Sequence, residues 1–161
     1  MSDIETPRLV LRLLTQAELD AVACQDGFEE PVVADFARAA LATDPAYGPW
    51  SARLLLLKPS LQMIGHIRFH TRPVEDSVEF GYSVFTRWRC QGYATEAARA
   101  LMRWAAEQHG VKRFVASVRP DNLPSQRVVA KLGFHRVGEQ FDDVDGLEDV
   151  FHRDSAMSTS F

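Results

Sequence analysis

Between Ser77 and His109 the hydrophobic period of the chain changes, within a few residues, from two to about 3.6. In "VEFGYSVF", Val78, Phe80, Tyr82 and Val84 alternate, as in a strand with one buried face. In "ATEAARALMRWAAEQHG", Ala94, Ala97, Ala98, Leu101 and Ala105 recur at steps of three and four, while Glu96, Arg99, Arg103 and Glu107 line another side. Gly92 sits at the junction, in "RCQGYAT", and Gly110 supplies the stop, because glycine takes a left-handed backbone cheaply. The short apolar run "RFVASV" that follows reads as a buried strand. A strand, a helix and a further strand in that order predict a right-handed crossover over Val78–Val118.

The remaining segments fit around this unit. "RLVLRLL" (Arg8 to Leu14) reads as a strand, and Thr15 with Glu18 three residues on forms a capping box for a helix at "TQAELDAVAC". A second helix is expected over "PVVADFARAALA", with Val32, Val33, Phe36 and Ala40 on one face. "SARLLLLK", "QMIGHIRFH" and "VEFGYSVF" form an antiparallel meander, "NLPSQRVVAKLG" a helix closed by glycine, and "FHRVGEQ" and "LEDVFHR" the last strands. The predicted order is β-α-α-β-β-β-α-β-α-β-β: a mixed α/β sheet with helices on both faces.

Composition narrows the function. The 161 residues suit one domain, taken as 1–154 with a small polar tail at 155–161. A net charge of −4 argues against a nucleic-acid binder. No apolar run approaches the ~18 residues of a membrane span, and acidic residues stand where a signal peptide would be basic. Cys24 and Cys90 form no ligand or redox spacing, so a cytoplasmic protein with free thiols is expected; Cys90 is read as packing.

The glycine junction has a chemical use. The first amides of a helix lack internal partners and lie at the positive end of its dipole. If Gly92 to Thr95 open the helix, these amides can receive a phosphate, Gly92 lets the ligand approach the backbone, and Arg89 and Thr95 add a cation and a hydroxyl. The same residues also suit a plain strand-to-helix turn. Neither G-x-x-x-x-G-K-[ST] nor G-x-G-x-x-G is present, which excludes a P-loop and a Rossmann fingerprint.

"RWRCQGYATEA" resembles the R-x-x-G-x-A acyl-coenzyme A loop of the GNAT superfamily of N-acetyltransferases, and "DNLPSQRVVAKLGF" its N-x-x-S…K-x-G-F segment. "ETPRLVLRLL" and "VEFGYSVF" are similar to the branch that holds the ribosomal-protein N-terminal (RimJ/RimL-like) acetyltransferases. The resemblance runs from Glu5 to Phe151. It implies a single GNAT-like domain with a mostly antiparallel mixed sheet, splayed between the strands ending at Val84 and Val118. It implies acetyl-coenzyme A as cosubstrate, with pyrophosphate on the amides of Gln91, Gly92, Tyr93, Ala94 and Thr95, supported by Arg89. The pantetheine arm would pair with backbone at Val84 and Phe85 and touch Asn122. Ser125 would stand near the thioester sulfur, and a backbone N–H at Val84 or Phe85 would hold the oxyanion. Arg127 is either a phosphate or adenine contact or an exposed helix charge. A homodimer is common among such proteins.

The implied reaction is direct attack of an amine on the thioester, without a covalent nucleophile. An α-amine of pKa ~8 is about one-tenth neutral at pH 7, whereas a lysine amine is ~3.4 units, or ~4.6 kcal/mol, from neutrality. Glu79 is the candidate base, or else a strand glutamate paired with an arginine. The acceptor is a protein N-terminus or a small-molecule amine; a non-catalytic acyl-coenzyme A sensor is the alternative class. Glu139, Asp142, Asp143, Asp145, Glu148 and Asp149, placed in the loop between the last two strands, with Asp26, Glu29 and Glu30, form either an acidic acceptor rim or a solvated surface. No metal is expected: His66 and His70 lie ~13 Å apart on a strand, and "FDDVDG" lacks the first and twelfth ligands of a calcium loop.

Overall fold

The computed structural model describes residues 3–15, 17–18 and 31–155, with side chains left aside at 31–34. Eight strands form one sheet: β1 (Ile4–Glu5), β2 (Leu9–Leu13), β3 (Arg53–Leu57), β4 (Gln62–Phe69), β5 (Ser77–Val84), β6 (Arg113–Val118), β7 (His135–Asp142) and β8 (Gly146–Asp154). Their order across the sheet is β1-β2-β3-β4-β5-β6-β8-β7. Among the described residues, three complete α-helices accompany them: α1 (Pro31–Thr43), α2 (Tyr93–His109) and α3 (Leu123–Lys131). This is the mixed, mostly antiparallel α/β arrangement expected. Most of the helix predicted at Thr15–Cys24 (all but residues 15, 17 and 18), the rim residues Asp26, Glu29 and Glu30, and nearly all of the 155–161 tail lie outside the described residues. The capping box itself is present: Glu18 Oε2 accepts from Thr15 N at 2.8 Å, and Thr15 Oγ1 accepts from Glu18 N at 3.3 Å.

The alternation read from "VEFGYSVF" sorts the two sheet faces. Val78, Phe80 and Val84 join Leu9, Leu11, Leu55, Ile64, Ile67, Phe114 and Phe151 in one core cluster. Onto this face α2 lays Tyr93, Ala97, Ala98, Leu101, Met102 and Ala105, all buried. Burying each of the larger aliphatic chains contributes about 1.5–3 kcal/mol, so the face, rather than helix propensity, holds α2 in place. Small residues at 97, 98 and 105 let α2 approach the sheet closely. Helix α1 covers the opposite face, where Ala37 meets Val10, Leu14, Leu54 and Leu56. Phe36, expected to share the buried face, is instead 37% exposed, its ring beneath the guanidinium of Arg68 at 4.6 Å.

Among the described residues only one strand pair is parallel, and it decides the site. β5 and β6 pair solely at Ser77↔Arg113, Val78↔Phe114 and Glu79↔Val115. Beyond Glu79 no ladder joins them, although β5 runs on to Val84 and β6 to Val118. The expected splay lies there.

Candidate active site

Backbone alternation fixes what faces the opening. Phe85 N–H donates to Ile64 O and His70 N–H to Glu79 O, each at 2.8 Å. Odd-numbered residues of β5 therefore turn their backbone polar groups toward β4, and the N–H groups of Tyr82 and Val84 turn toward the gap. The amide of Phe85, one of the two expected oxyanion donors, is consumed by the sheet; Val84 alone keeps that position. Arg89 Nε donates to Val84 O at 2.7 Å, which straps the loop before α2 to the end of β5.

The junction glycine is a left-handed N-cap, with φ 83° and no side-chain cap. Glu96 N–H donates to Gly92 O at 3.0 Å, so the amides of Tyr93, Ala94 and Thr95 precede the first intrahelical bond and have no acceptor within the helix. An alanine Cβ at Gly92 would stand 3.3 Å from Arg8 Nη2. Arg8, unremarked in the sequence, holds this corner from β2's approach: Nε donates to Glu96 Oε2 at 2.6 Å and Nη1 to Gln91 O at 3.0 Å, and its guanidinium lies 4.3 Å from the Tyr93 ring centre. Burial raises the Glu96 pKa, but hydrogen bonds from Thr6 and Arg8 outweigh it and hold the carboxyl below its ordinary range. Cys90 does not pack; it is exposed, at φ 61°.

A cavity of about 470 Å³ opens beside these amides, lined by Val84, Arg89, Gly92, Tyr93, Ala94, Thr95, Asn122, Ser125 and Arg127. Gln91 and Phe85 are absent from its wall. Trp88, Val128 and Lys131, which the sequence reading omitted, are on it. A smaller cavity of about 200 Å³ contains Gly81, Ser117, Arg119, Asp145 and Glu148. Tyr82, Asn122 and Ser125 line both. Asn122 caps α3 through Oδ1, which accepts from Ser125 N at 3.3 Å, leaving its amide nitrogen for the cavities.

Tyr82 is the residue that sequence reasoning missed at the centre. Its hydroxyl donates to Ser125 Oγ at 3.0 Å, and burial pushes the phenol pKa up, the serine contact offsetting only part of this. Its place on the buried face of "VEFGYSVF" was legible; its pairing with a serine 43 residues away was not. Glu79 lies elsewhere. Its carboxylate is 3.7 Å from His70 Nδ1 and lines neither cavity. The acidic segment also divides: Glu139 and Asp142 belong to β7, Glu148 and Asp149 to β8, and only Asp143 and Asp145 remain in the turn. Asp142 Oδ1 caps that turn by accepting from Val144 N and Asp145 N at 2.8 Å, which is the structural use of the "FDDVDG" pattern.

A split parallel pair, a helix N-terminus with free amides and an N-x-x-S helix cap meet at one cavity, and the family model of the acetyltransferase (GNAT) domain matches residues 8–135 across all three. The chain belongs to the GNAT N-acetyltransferases. It is 30% identical over 148 residues to the uncharacterized N-acetyltransferase YjdG of Bacillus subtilis (strain 168), covering 81% of this chain and 88% of that one. YnaD of the same organism, also an uncharacterized N-acetyltransferase, is 33% identical over 84 residues, 52% of this chain and 49% of its own length. The ribosomal-protein-serine acetyltransferase of Escherichia coli (strain K12) is 30% identical over 84 residues, 52% of this chain and 47% of that enzyme. The chain thus spans about half the length of two of these relatives. Among solved structures, the ribosomal-protein-S5-alanine acetyltransferase of Vibrio fischeri superposes with a TM-score of 0.76 at 16% identity, covering 98% of both chains. The GNAT fold and the RimJ/RimL-like resemblance read from the motifs are therefore correct. Among the described residues no helix is long and apolar enough to cross a membrane.

Proposed function

We propose that this GNAT protein moves the acetyl group of acetyl-coenzyme A directly to a primary amine, with a polypeptide N-terminus as the acceptor class. The observation that carries the reading is the meeting of two cavities at Tyr82, Asn122 and Ser125. The larger suits the cofactor: its pyrophosphate on the amides of Tyr93, Ala94 and Thr95, near Arg89 and Arg127, and its arm beside Asn122. Bound acetyl-coenzyme A supplies the activated thioester. The smaller suits the end of an amine. The N–H of Val84, aimed into the gap, is placed to stabilise negative charge on the thioester oxygen. Ser125 faces the leaving sulfur, and Tyr82 behind it offers a proton through the serine hydroxyl. A thiolate whose conjugate acid has a pKa of ~8.5 needs no stronger acid. The acceptor class is supported by the Escherichia coli relative, a ribosomal-protein-serine acetyltransferase. An exposed thiol at Cys90 suits a reducing compartment, so a cytoplasmic location belongs to the same proposal.

The test is thiol release from acetyl-coenzyme A with N-terminal peptides, amino acids, polyamines and aminoglycosides in parallel. Turnover with peptides alone is the expected result. Turnover confined to small amines would overturn the acceptor class, and binding of coenzyme A without turnover on any acceptor would overturn the transfer reading.

A further inference from the structure

Resting on that reading, we infer that Glu148, and not Glu79, receives the acceptor amine and takes its proton. Glu148 projects from β8 into the smaller cavity, which Ser125 and Tyr82 also line, and it is only 8% exposed. Its carboxylate is held at one side: Gln140 Nε2 donates to Oε2 at 2.9 Å and to Ser117 Oγ at 3.0 Å. No other hydrogen bond reaches the Glu148 carboxylate among the described residues, so its other oxygen is left for a ligand. A buried carboxylate with a single neutral donor is costly until a cation or further donors meet it. An ammonium supplies both.

The groups that face it favour that ligand. Tyr82 on β5 is neutral near pH 7, its pKa pushed up by burial. Arg119, in the loop after β6, is committed to Asp121 through Nε at 3.1 Å and Nη2 at 2.9 Å. Asp145, from the β7–β8 turn, adds a second negative charge to the lining. Asp149, next along β8, is turned to Gln126 of α3 and Arg136 of β7. A space of about 200 Å³ admits a primary ammonium on a slender stem and disfavours a hindered secondary amine.

The steps balance. The ammonium N–H breaks and an O–H forms on Glu148, freeing the nitrogen lone pair. The C–N bond forms at the thioester carbon and the C–S bond breaks. As the intermediate collapses, the Ser125–Tyr82 pair gives a proton to the departing thiolate and is restored by the second amine proton, so the products are an amide, the free thiol and the proton that Glu148 returns to water.

The assay is kcat/KM between pH 6 and 9.5 for Glu148→Gln and Glu79→Gln, using the peptide that the wild type turns over best, with coenzyme A affinity measured alongside. Glu148→Gln is expected to lose about 100-fold or more at pH 7, with the deficit shrinking about tenfold per pH unit as an amine of pKa ~8 loses its own proton. Coenzyme A affinity stays unchanged, and Glu79→Gln stays within about threefold of wild type. A deficit for Glu148→Gln below threefold, or one equal at every pH, overturns the assignment, as does a pH-rescued deficit in Glu79→Gln. Because wild-type turnover is the reference, these failures are distinct from failure of the transfer reading. If Glu148→Gln does not fold, Gln140→Leu decides: removing the donor shifts the acid limb of the profile to higher pH, and an unmoved limb overturns the proposal.

Discussion

Replacing Gly92 by alanine separates the two uses of a left-handed residue. A non-glycine residue in that region costs about 1–2 kcal/mol, and at φ 83° Gly92→Ala takes this penalty in full. For a domain of this size that is a fall in Tm of about 2–8 °C. Gly110 ends the same helix at φ 67°, and an alanine Cβ there meets nothing within 4 Å. Gly110→Ala should therefore lose the same stability and nothing more. At Gly92 the added Cβ stands 3.3 Å from Arg8 Nη2, and Arg8 cannot yield without disturbing its bonds to Glu96 and Gln91. Gly92 also lines the larger cavity. Loss of one charge-assisted hydrogen bond, about 1.5–3 kcal/mol, weakens coenzyme A binding about tenfold to 150-fold. Thermal melts with calorimetric titration of coenzyme A would measure both. If Gly92→Ala binds as tightly as Gly110→Ala, the amides of Tyr93 to Thr95 do not hold the cofactor and the placement of the pyrophosphate is wrong.

Tyr82→Phe removes the proton behind Ser125, so kcat should fall about tenfold with coenzyme A affinity intact; the Tyr82→Phe, Ser125→Ala double variant should be no slower than Ser125→Ala, and additive losses in thiol release would refute the relay. Glu96 has its folded pKa depressed by Thr6 and Arg8, so its contribution is present above the unfolded value of about 4.3 and is lost as pH falls through the lower folded value. Glu96→Gln should melt several degrees below wild type at pH 7, with the difference closing in acid; a constant difference from pH 7 to 3 would contradict this. Gly65→Ala places a Cβ 2.2 Å from Ser83 O and 3.0 Å from Val84 Cα, contacts with backbone that cannot rotate away, and should cost about 3 kcal/mol or more. A circular-dichroism melt within 2 °C of wild type would show that β4 and β5 are not so closely registered.

Some of this site was written in local pattern. Gly92 was placed at a helix start by the local change of period, whereas Asn122 and Ser125 were singled out by resemblance, and the structure shows Asn122 capping α3 through Ser125 N–H. The capping box of Thr15 and Glu18 was legible for the same reason. Arg89 was assigned a cation's role, but its bond to Val84 O needs the strand end and the loop in place together. Phe85 failed as an oxyanion donor because one-residue parity in a strand decides which side an amide faces, and only the β4 partner fixes that parity. Arg8 was read as part of a strand, since nothing local says that a residue at the start of the chain folds onto the start of α2.

Carboxylates were the least legible groups. A glutamate in a strand shows its face but not what that face meets, so Glu79 was favoured on motif resemblance although its neighbour is His70. Glu148 looked like one charge among six in a solvated hairpin. Its burial depends on β8 lying between β6 and β7, with Gln140 and Ser117 brought alongside across two strand pairings.

The sequence by itself determined most of the described elements, their order and the switch from strand to helix at Gly92, because each depends on side-chain period and backbone freedom over about a dozen residues. Tertiary structure alone decided that β5 and β6 part after three pairs, that Tyr82 meets Ser125 in the opening, and that Glu148 lines it from the far side. Those contacts join residues tens of positions apart, and they are set by how the sheet pairs and splays, a property of the whole sheet that no local window of the chain contains.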